Sequence, residues 1–379
     1  GGASWSWIMR FASILSVTSK AFAFYPTKTG PSFHHGVMNR AVSGSSNQLL
    51  FRCFSAHAYA DAFSSMEVAI QKDVGRRGIG ELILQGQIQL ACEWICNSKH
   101  VGLLTGFPCN LGFDVPTETD GPPGTVAVAR ACLARGKKVT VLTDQVNEKV
   151  LKAAFCEPFF DIPEFRLETF PPKGQWTSQS EKRLMELGSE MDCIVAIERC
   201  GPAKDGRYYT MRGRELAGVA PLERILPAAG RGGTGLAAAR TVGVGDGGNE
   251  VGMGKVLDRV LKSSIPNAEH IACTIPTDAL IVAGVSNWGG YALAAGLHLL
   301  DPNVGDLNWS RMEQTEKTLL ERMLRAGARD GVTTKLELTV DGIDISVHLS
   351  VLHNLFEIAL KATGHNWKEL PKSQFEQMD

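Results

Sequence analysis

From residue 100 to residue 283 the chain alternates short apolar runs with stretches of helical length. "HVGLLTGF" is followed by "TVAVARACLARG", "KKVTVLTD" by "NEKVLKAAF", and "DCIVAIER" comes after "SQSEKRLMELGSEM". Each run is too short for a helix, is apolar on both faces, and ends in Gly, Asp or a polar loop, as a strand covered from both sides does. Parallel neighbours need a long crossover, and the intervening helices supply it. The order strand, helix, strand, helix therefore predicts an α/β fold: a mostly parallel, doubly wound (Rossmann-like) sheet with helices on both faces.

The flanks extend this pattern. Ser65 to Ser98 reads as helical, broken at Gly75, Gly78 and Gly80. "AEHIACTIPTDALIVAG" holds one or two further strands and "WGGYALAAGLHLL" a helix. From Asn308 to Ala326, Met312, Leu319, Leu320 and Met323 share one side of an amphipathic helix. "KLELTVDGIDISVH" alternates on either side of Asp341-Gly342, which predicts a late β-hairpin with a type I′ turn, and a helix from Leu349 to Thr363 follows.

The first sixty residues differ from the rest. No acid precedes Asp61, whereas Arg10, Lys20, Lys28, Arg40 and Arg52 stand among many serines. Basic, Ser-rich and acid-poor is the composition of a mitochondrial transit segment, and "FRCFSAH" is similar to a matrix-peptidase site. The expected organisation is a leader over 1–60, one α/β domain over 61–365 and a polar tail over 366–379, in a soluble protein of the mitochondrial matrix. A formal net charge of -1 gives no basic field for nucleic acid. The uncharged run Ala279 to Leu300 is broken by "SNWGG", so no membrane span is expected. Nine cysteines show no C-x-x-C pair, which argues against a zinc site or a disulfide framework. Cys200, at a strand end, reads as a small buried side chain rather than a nucleophile.

In an open α/β sheet ligands bind at the carboxyl ends of the strands, and polar, Gly-rich loops fall there. "TETDGPPGT" places Glu118 and Asp120 before a helix N-terminus whose first turn holds Thr125, a setting for an anion. "IERCGPAKDGRYYTMRG" ends a strand with Glu198 and Arg199 and adds the cations Lys204, Arg207 and Arg212, arginine being the preferred fork for carboxylate or phosphate. "TVGVGDGGNEVGMGK" satisfies G-x-G-x-x-G at Gly243, Gly245 and Gly248, yet Asp246 and Asn249-Glu250 crowd the entry with acid. Asn249 stands where a Walker loop needs Gly. In that stretch Asp246, Asn249 and Glu250 suit an ammonium, a metal or a water better than a pyrophosphate. In "IPTDALIVAGVSNWGG", Asp278 is read as site wall or helix cap, and Ser286-Asn287 as a cap. Asp330-Gly331, Asp341-Gly342 and His348 are read as turn and structural residues.

Taken in order, "GFPCNLGFDVPTETDGPPGT", "AIERCGPAKDGRYYTMRG" and "GVGDGGNEVGMGK" resemble the C-terminal domain of the D-glutamate cyclase family, and the resemblance runs from about Ser65 to Thr363. It implies a lyase that converts D-glutamate to 5-oxo-D-proline and water in the mitochondrial matrix. A member of that family carries a large hydratase-like domain ahead of this one, whereas here the leader-like segment runs almost directly into the cyclase-like domain. On this reading Glu118, Asp120, Asp246 and Glu250 are the candidate acids and bases. Arg199 and Arg212 clamp carboxylates, with Asn249, Gly247, Gly248 and Thr125 in contact with substrate. No cofactor is demanded, a divalent metal among Glu118, Asp120, Asp246 and Glu250 stays open, and so does the oligomeric state. A nucleotide- or phosphometabolite-binding transferase and a non-catalytic amino-acid-binding module are the alternatives.

Overall fold

The computed structural model describes residues 59–226, 239–302 and 311–365. The expected leader, apart from Tyr59 and Ala60, and the polar tail lie outside the described residues. Strands β1 (His100–Thr105), β2 (Lys138–Asp144), β3 (Phe165–Phe170), β4 (Cys193–Ile197), β5 (Arg240–Gly245) and β6 (Ala279–Val282) form one sheet in the order β3-β2-β1-β4-β5-β6. Every pairing is parallel; Val101, for example, lies opposite Val139 on one side and Cys193 on the other. A separate antiparallel pair, β7 (Thr339–Val340) and β8 (Ile343–Asp344), closes on Asp341 and Gly342, both at positive φ (56° and 74°) as a type I′ turn requires.

The helices are α1 (Ala60–Ile70), α2 (Gln87–Asn97), α3 (Pro122–Ala134), α4 (Glu148–Phe160), α5 (Ser178–Ser189), α6 (Leu257–Lys262), α7 (Ala268–Ile271), α8 (Ser286–Leu300), α9 (Met312–Ala326) and α10 (Ile345–Thr363). Alternation along the strands sorts them onto two faces. Val101, Leu103, Val139, Val141, Val195, Val242 and Val244 enter one core with α1 to α4 and α8 to α10. Leu104, Leu142, Ile194 and Ala196 face α5, while Leu280 and Val282 pack with α6 and α7. The expected doubly wound α/β architecture is the observed one.

Helix α8 is the centre of the larger layer and is buried along almost its whole length. It crosses α3 closely because both helices carry glycine there: a Cβ on Gly290 would stand 2.5 Å from Gly124 Cα. One strand differs from expectation. Strand β3 was not foreseen, because "FRLETF" alternates apolar with charged residues as a sheet edge does, and only Phe165 and Phe170 are buried. Leu222–Ile225 forms a short 3-10 turn, and residues 227–238 lie outside the described residues. Asn147 precedes α4 but does not cap it; its side chain donates to Asp144 and Thr143 and accepts from Thr117.

Between α8 and α9 lies a buried ionisable pair remote from the loops. Tyr291 donates a short hydrogen bond to Glu316, which is 6% exposed. Burial pushes the Glu316 carboxyl up to about 7, against the opposing effects of Tyr291 and Arg130. A carboxyl raised in the folded state is bound to its proton there while the unfolded chain has already released it. Stability from this group is therefore full below about pH 4.5 and falls as pH rises towards 7, by about 3 kcal/mol. Glu316→Gln, which keeps the shape of the protonated acid, is expected to remove that loss; urea midpoints of the variant and wild type should coincide at acid pH and diverge above it.

Candidate functional site

The strand order reverses between β1 and β4, and a cavity of about 310 Å³ opens over the carboxyl ends of β1, β4 and β5. That is where an open α/β sheet binds its ligand. Phe107, Cys109 and Glu118 reach it from the loop after β1, Glu198 from the end of β4, and Asp246, Asn249 and Glu250 from the turn after β5. Two distant segments complete the wall: Gly75 to Arg77 from the connection between α1 and α2, and Gly331, Val332 and Asp341 from the region around the β7–β8 hairpin.

The glycine-rich turn after β5 is organised by its own glutamate. Glu250 accepts backbone N–H bonds from Gly247 (2.7 Å) and Gly248 (2.8 Å), and a longer one from Asp246. These amides would face a phosphate in a nucleotide-binding loop; here they are occupied. Gly243 is required for packing: a Cβ there would lie 2.7 Å from Val251 O and 2.8 Å from Gly252 Cα. Asn249 donates from Nδ2 to Tyr209 O (2.8 Å) and so ties this turn to the loop after β4.

Arg77 brings a guanidinium to the acids of the cavity. Its Nη1 pairs with Asp246 Oδ1, and its Nη2 with Asp341 Oδ2 at 2.9 Å, the three side chains being 16%, 3% and 6% exposed. Burial works against the guanidinium, but the adjoining Asp246 and Asp341 carboxylates outweigh it and hold its pKa above the ordinary value. Burial pushes Asp246 up to about 6 and Asp341 up to about 7, in each case against Arg77. Glu118 and Glu198 are raised by burial and then by surrounding carboxylates. Such a pocket concentrates negative charge, and several of its acids hold protons near neutral pH.

The residues singled out in the sequence divide into two groups. Glu118, Arg212, Asp246, Asn249 and Glu250 line the cavity. Asp120 lies just behind it, with Oδ1 accepting from Gly121 N–H and Asn287 N–H and Oδ2 from Ser286 N–H. Arg199 goes elsewhere: its Nη1 and Nη2 grip Asp144 at 2.5 and 2.8 Å and also donate to Gly106 O and Ala220 O, with neither side chain exposed. It therefore has no place as a carboxylate clamp. The N-terminus of α3 is not a free anion cradle either, because Asn287 Oδ1 accepts from both Gly121 N–H and Gly124 N–H. Thr125 spends its hydroxyl on Gly121 O, and Gly247 and Gly248 meet Glu250.

Arg77 and Asp341, which line the cavity, and Ser286, which holds the lining residue Glu198, were not picked out as site residues in the sequence. Asp341 was read as turn chemistry, and it is that as well. Ser286, at the start of α8, donates from Oγ to Glu198 Oε2 at 2.6 Å. Glu198 itself sits at φ 44°, an uncommon backbone state for a non-glycine residue, which directs its side chain off the end of β4.

Residues 66–356 match the family described as D-glutamate cyclase-like, C-terminal. The chain belongs to that family. It is also 31% identical over 322 residues to the human protein named D-glutamate cyclase, mitochondrial, an alignment covering 77% of this chain and 51% of the relative. The chain thus spans about half the length of the curated relative it matches.

Within this cyclase-like domain the carboxylates that converge are not the four expected as a possible metal set. The amides of the turn occupy Glu250, whereas Asp120, Glu198 and Asp246 each bring an oxygen within 4.8 Å of the other two. Cys200 does not line the cavity; it is fully buried and burial raises its thiol, so it is inert packing. No helix among the described residues is long and apolar enough to cross a membrane.

Proposed function

We propose that this domain cyclises D-glutamate to 5-oxo-D-proline with loss of water, as a lyase of the mitochondrial matrix acting on a small molecule. The observation that carries the reading is a small cavity, about 310 Å³, in which carboxyls raised by burial stand beside arginines. That volume is at the lower end for ligand pockets and suits a compact metabolite. Membership of a D-glutamate cyclase-like family supports the choice of substrate.

The reaction joins the substrate nitrogen to its own γ-carboxyl carbon and breaks a C–O bond. The ammonium gives up two protons, the γ-carboxylate takes up two, and one oxygen leaves as water. No proton is consumed overall, so the protein need only store and relay them. Asp341, poised near neutral pH, takes a proton from the ammonium. Glu118, kept protonated by burial, gives one to the departing oxygen. Arg212 and Arg214, both lining the cavity, hold the α-carboxylate, and Arg77 offsets charge that develops on the carbonyl oxygen. Holding the chain folded brings amine and carbonyl into attack geometry, which lowers the barrier to ring closure. Asp120 and Glu250, expected from the sequence as acid or base, are less suited, since each already accepts several backbone N–H bonds.

A nucleotide reading is disfavoured because the glycine amides already serve Glu250. Thermal unfolding of the full chain tests the choice of ligand: D-glutamate is expected to raise Tm, and ATP and NAD to leave it unchanged. A rise with a nucleotide and none with D-glutamate would move the reading to a transferase.

A further inference from the structure

Asp120, Glu198 and Asp246 come from three separate loops, after β1, at the end of β4 and after β5, and one oxygen of each lies within 4.8 Å of the other two. Their hydrogen bonds do not use them up. Asp120 Oδ1 takes two backbone N–H bonds, but Oδ2 takes one, from Ser286. Glu198 Oε2 accepts from the Ser286 hydroxyl, and no bond engages Oε1 among the described residues. Asp246 pairs with Arg77 through Oδ1, while its buried Oδ2 is reached by no N–H or hydroxyl donor and the Asp341 carboxyl is the side chain beside it. A carboxylate oxygen without a donor, on an aspartate that is 2% exposed, calls for a proton or a cation.

The charge balance points the same way. Arg77 is engaged by Asp246 and Asp341, and neither Asp120 nor Glu198 has an ion-pair partner among the described residues. A shared proton bridges two oxygens; three oxygens converging from different directions suit a single cation. All the donors are carboxylate oxygens, the choice of a hard ion. Oxygens about 2.0–2.1 Å from one Mg²⁺ lie no more than about 4 Å apart, so a bound ion would draw the three carboxylates, which stand within 4.8 Å of one another, closer together. Calcium asks for six to eight oxygens, whereas magnesium and manganese accept a few carboxylates and keep the remaining positions for water or substrate. Ser286 binds Asp120 through its amide and Glu198 through its hydroxyl, and so fixes both carboxylates in the way outer groups orient metal ligands.

We infer that Asp120, Glu198 and Asp246 form a binding site for one divalent cation of the magnesium or manganese class, with open coordination positions towards the cavity. The site stands on this geometry and does not depend on D-glutamate being the substrate. In the proposed reaction the ion would polarise the γ-carboxyl group.

The test uses the full chain freed of metal with a chelator and titrated with Mn²⁺, the free ion being read by electron paramagnetic resonance. One Mn²⁺ per chain, displaced by Mg²⁺, is expected, with affinity lowered at least about tenfold in Asp246→Asn and Glu198→Gln. Cleavage of the wild-type backbone by bound iron(II) with ascorbate and peroxide locates the ion without any variant, and cuts beside Asp120, Glu198 and Asp246 are expected. Absence of stoichiometric Mn²⁺ binding by the folded wild type, folded variants that bind like wild type, or cuts confined to another region would overturn the site. Each readout is independent of turnover, so failure of the metal site and failure of the cyclase reading are distinguished.

Discussion

Arg199→Ala is expected to cost about 3–5 kcal/mol of folding stability, a large share of what holds a domain together. Two carboxylate oxygens of Asp144 face the Arg199 guanidinium, and removing it leaves a fully buried negative charge. Asp144 would keep its bonds from Ala220 N–H (2.6 Å) and Asn147 Nδ2 (3.0 Å), which do not neutralise it. Gly106 O and Ala220 O would also lose their donor. A domain has only about 5–15 kcal/mol in hand, so the urea midpoint should collapse and the yield of folded chain fall. Arg199→Lys keeps the charge but has no fork to satisfy two oxygens and two carbonyls at once, and should lie between the two. A stable Arg199→Ala protein with a raised KM would instead put Arg199 back among the substrate contacts.

Asp341→Asn should lower kcat by about 100-fold or more while leaving Tm close to wild type. The two parts follow from one location. Asp341 occupies the first position of a type I′ turn at φ 56°, where asparagine followed by glycine is among the best sequences, so the hairpin is preserved. The carboxyl meanwhile lies in the cavity, paired with Arg77 and beside Asp246. The amide can neither take the ammonium proton nor hold Arg77 by charge. A kcat unchanged in Asp341→Asn would remove Asp341 from the chemistry and return the base to Asp246.

The sheet was readable from the sequence because its strands are buried on both faces, and continuous apolar runs as short as "HVGLLT" fit a covered strand better than a helix. Only β3, an edge strand with charged alternate positions, escaped. The site was harder for a different reason. Glu118, Asp246 and Glu250 stand in polar loops at strand ends, where a ligand is expected, and the cavity gathers them. Arg77 and Asp341 give no such signal, since one lies before the first strand and the other in a hairpin after the last helix-length connection. Only folding brings them to the same carboxylates. Arg199 shows the converse: an arginine at a strand end suggests a ligand clamp, but its orientation depends on Asp144, a residue fifty-five positions away whose importance no local pattern reveals. In the same way the helix terminus after Asp120 reads as an anion site until Asn287 from α8 is seen to fill it.

Turnover by the full chain decides the proposed function. D-glutamate and L-glutamate are supplied separately, with Mg²⁺ present, and 5-oxoproline is resolved on a chiral column. The arrangement of acids and arginines in the cavity predicts 5-oxo-D-proline from D-glutamate, at a rate abolished in Glu118→Gln and Asp341→Asn. Folded protein that binds D-glutamate and yields no 5-oxoproline would contradict the cyclase assignment and make this domain an amino-acid-binding module.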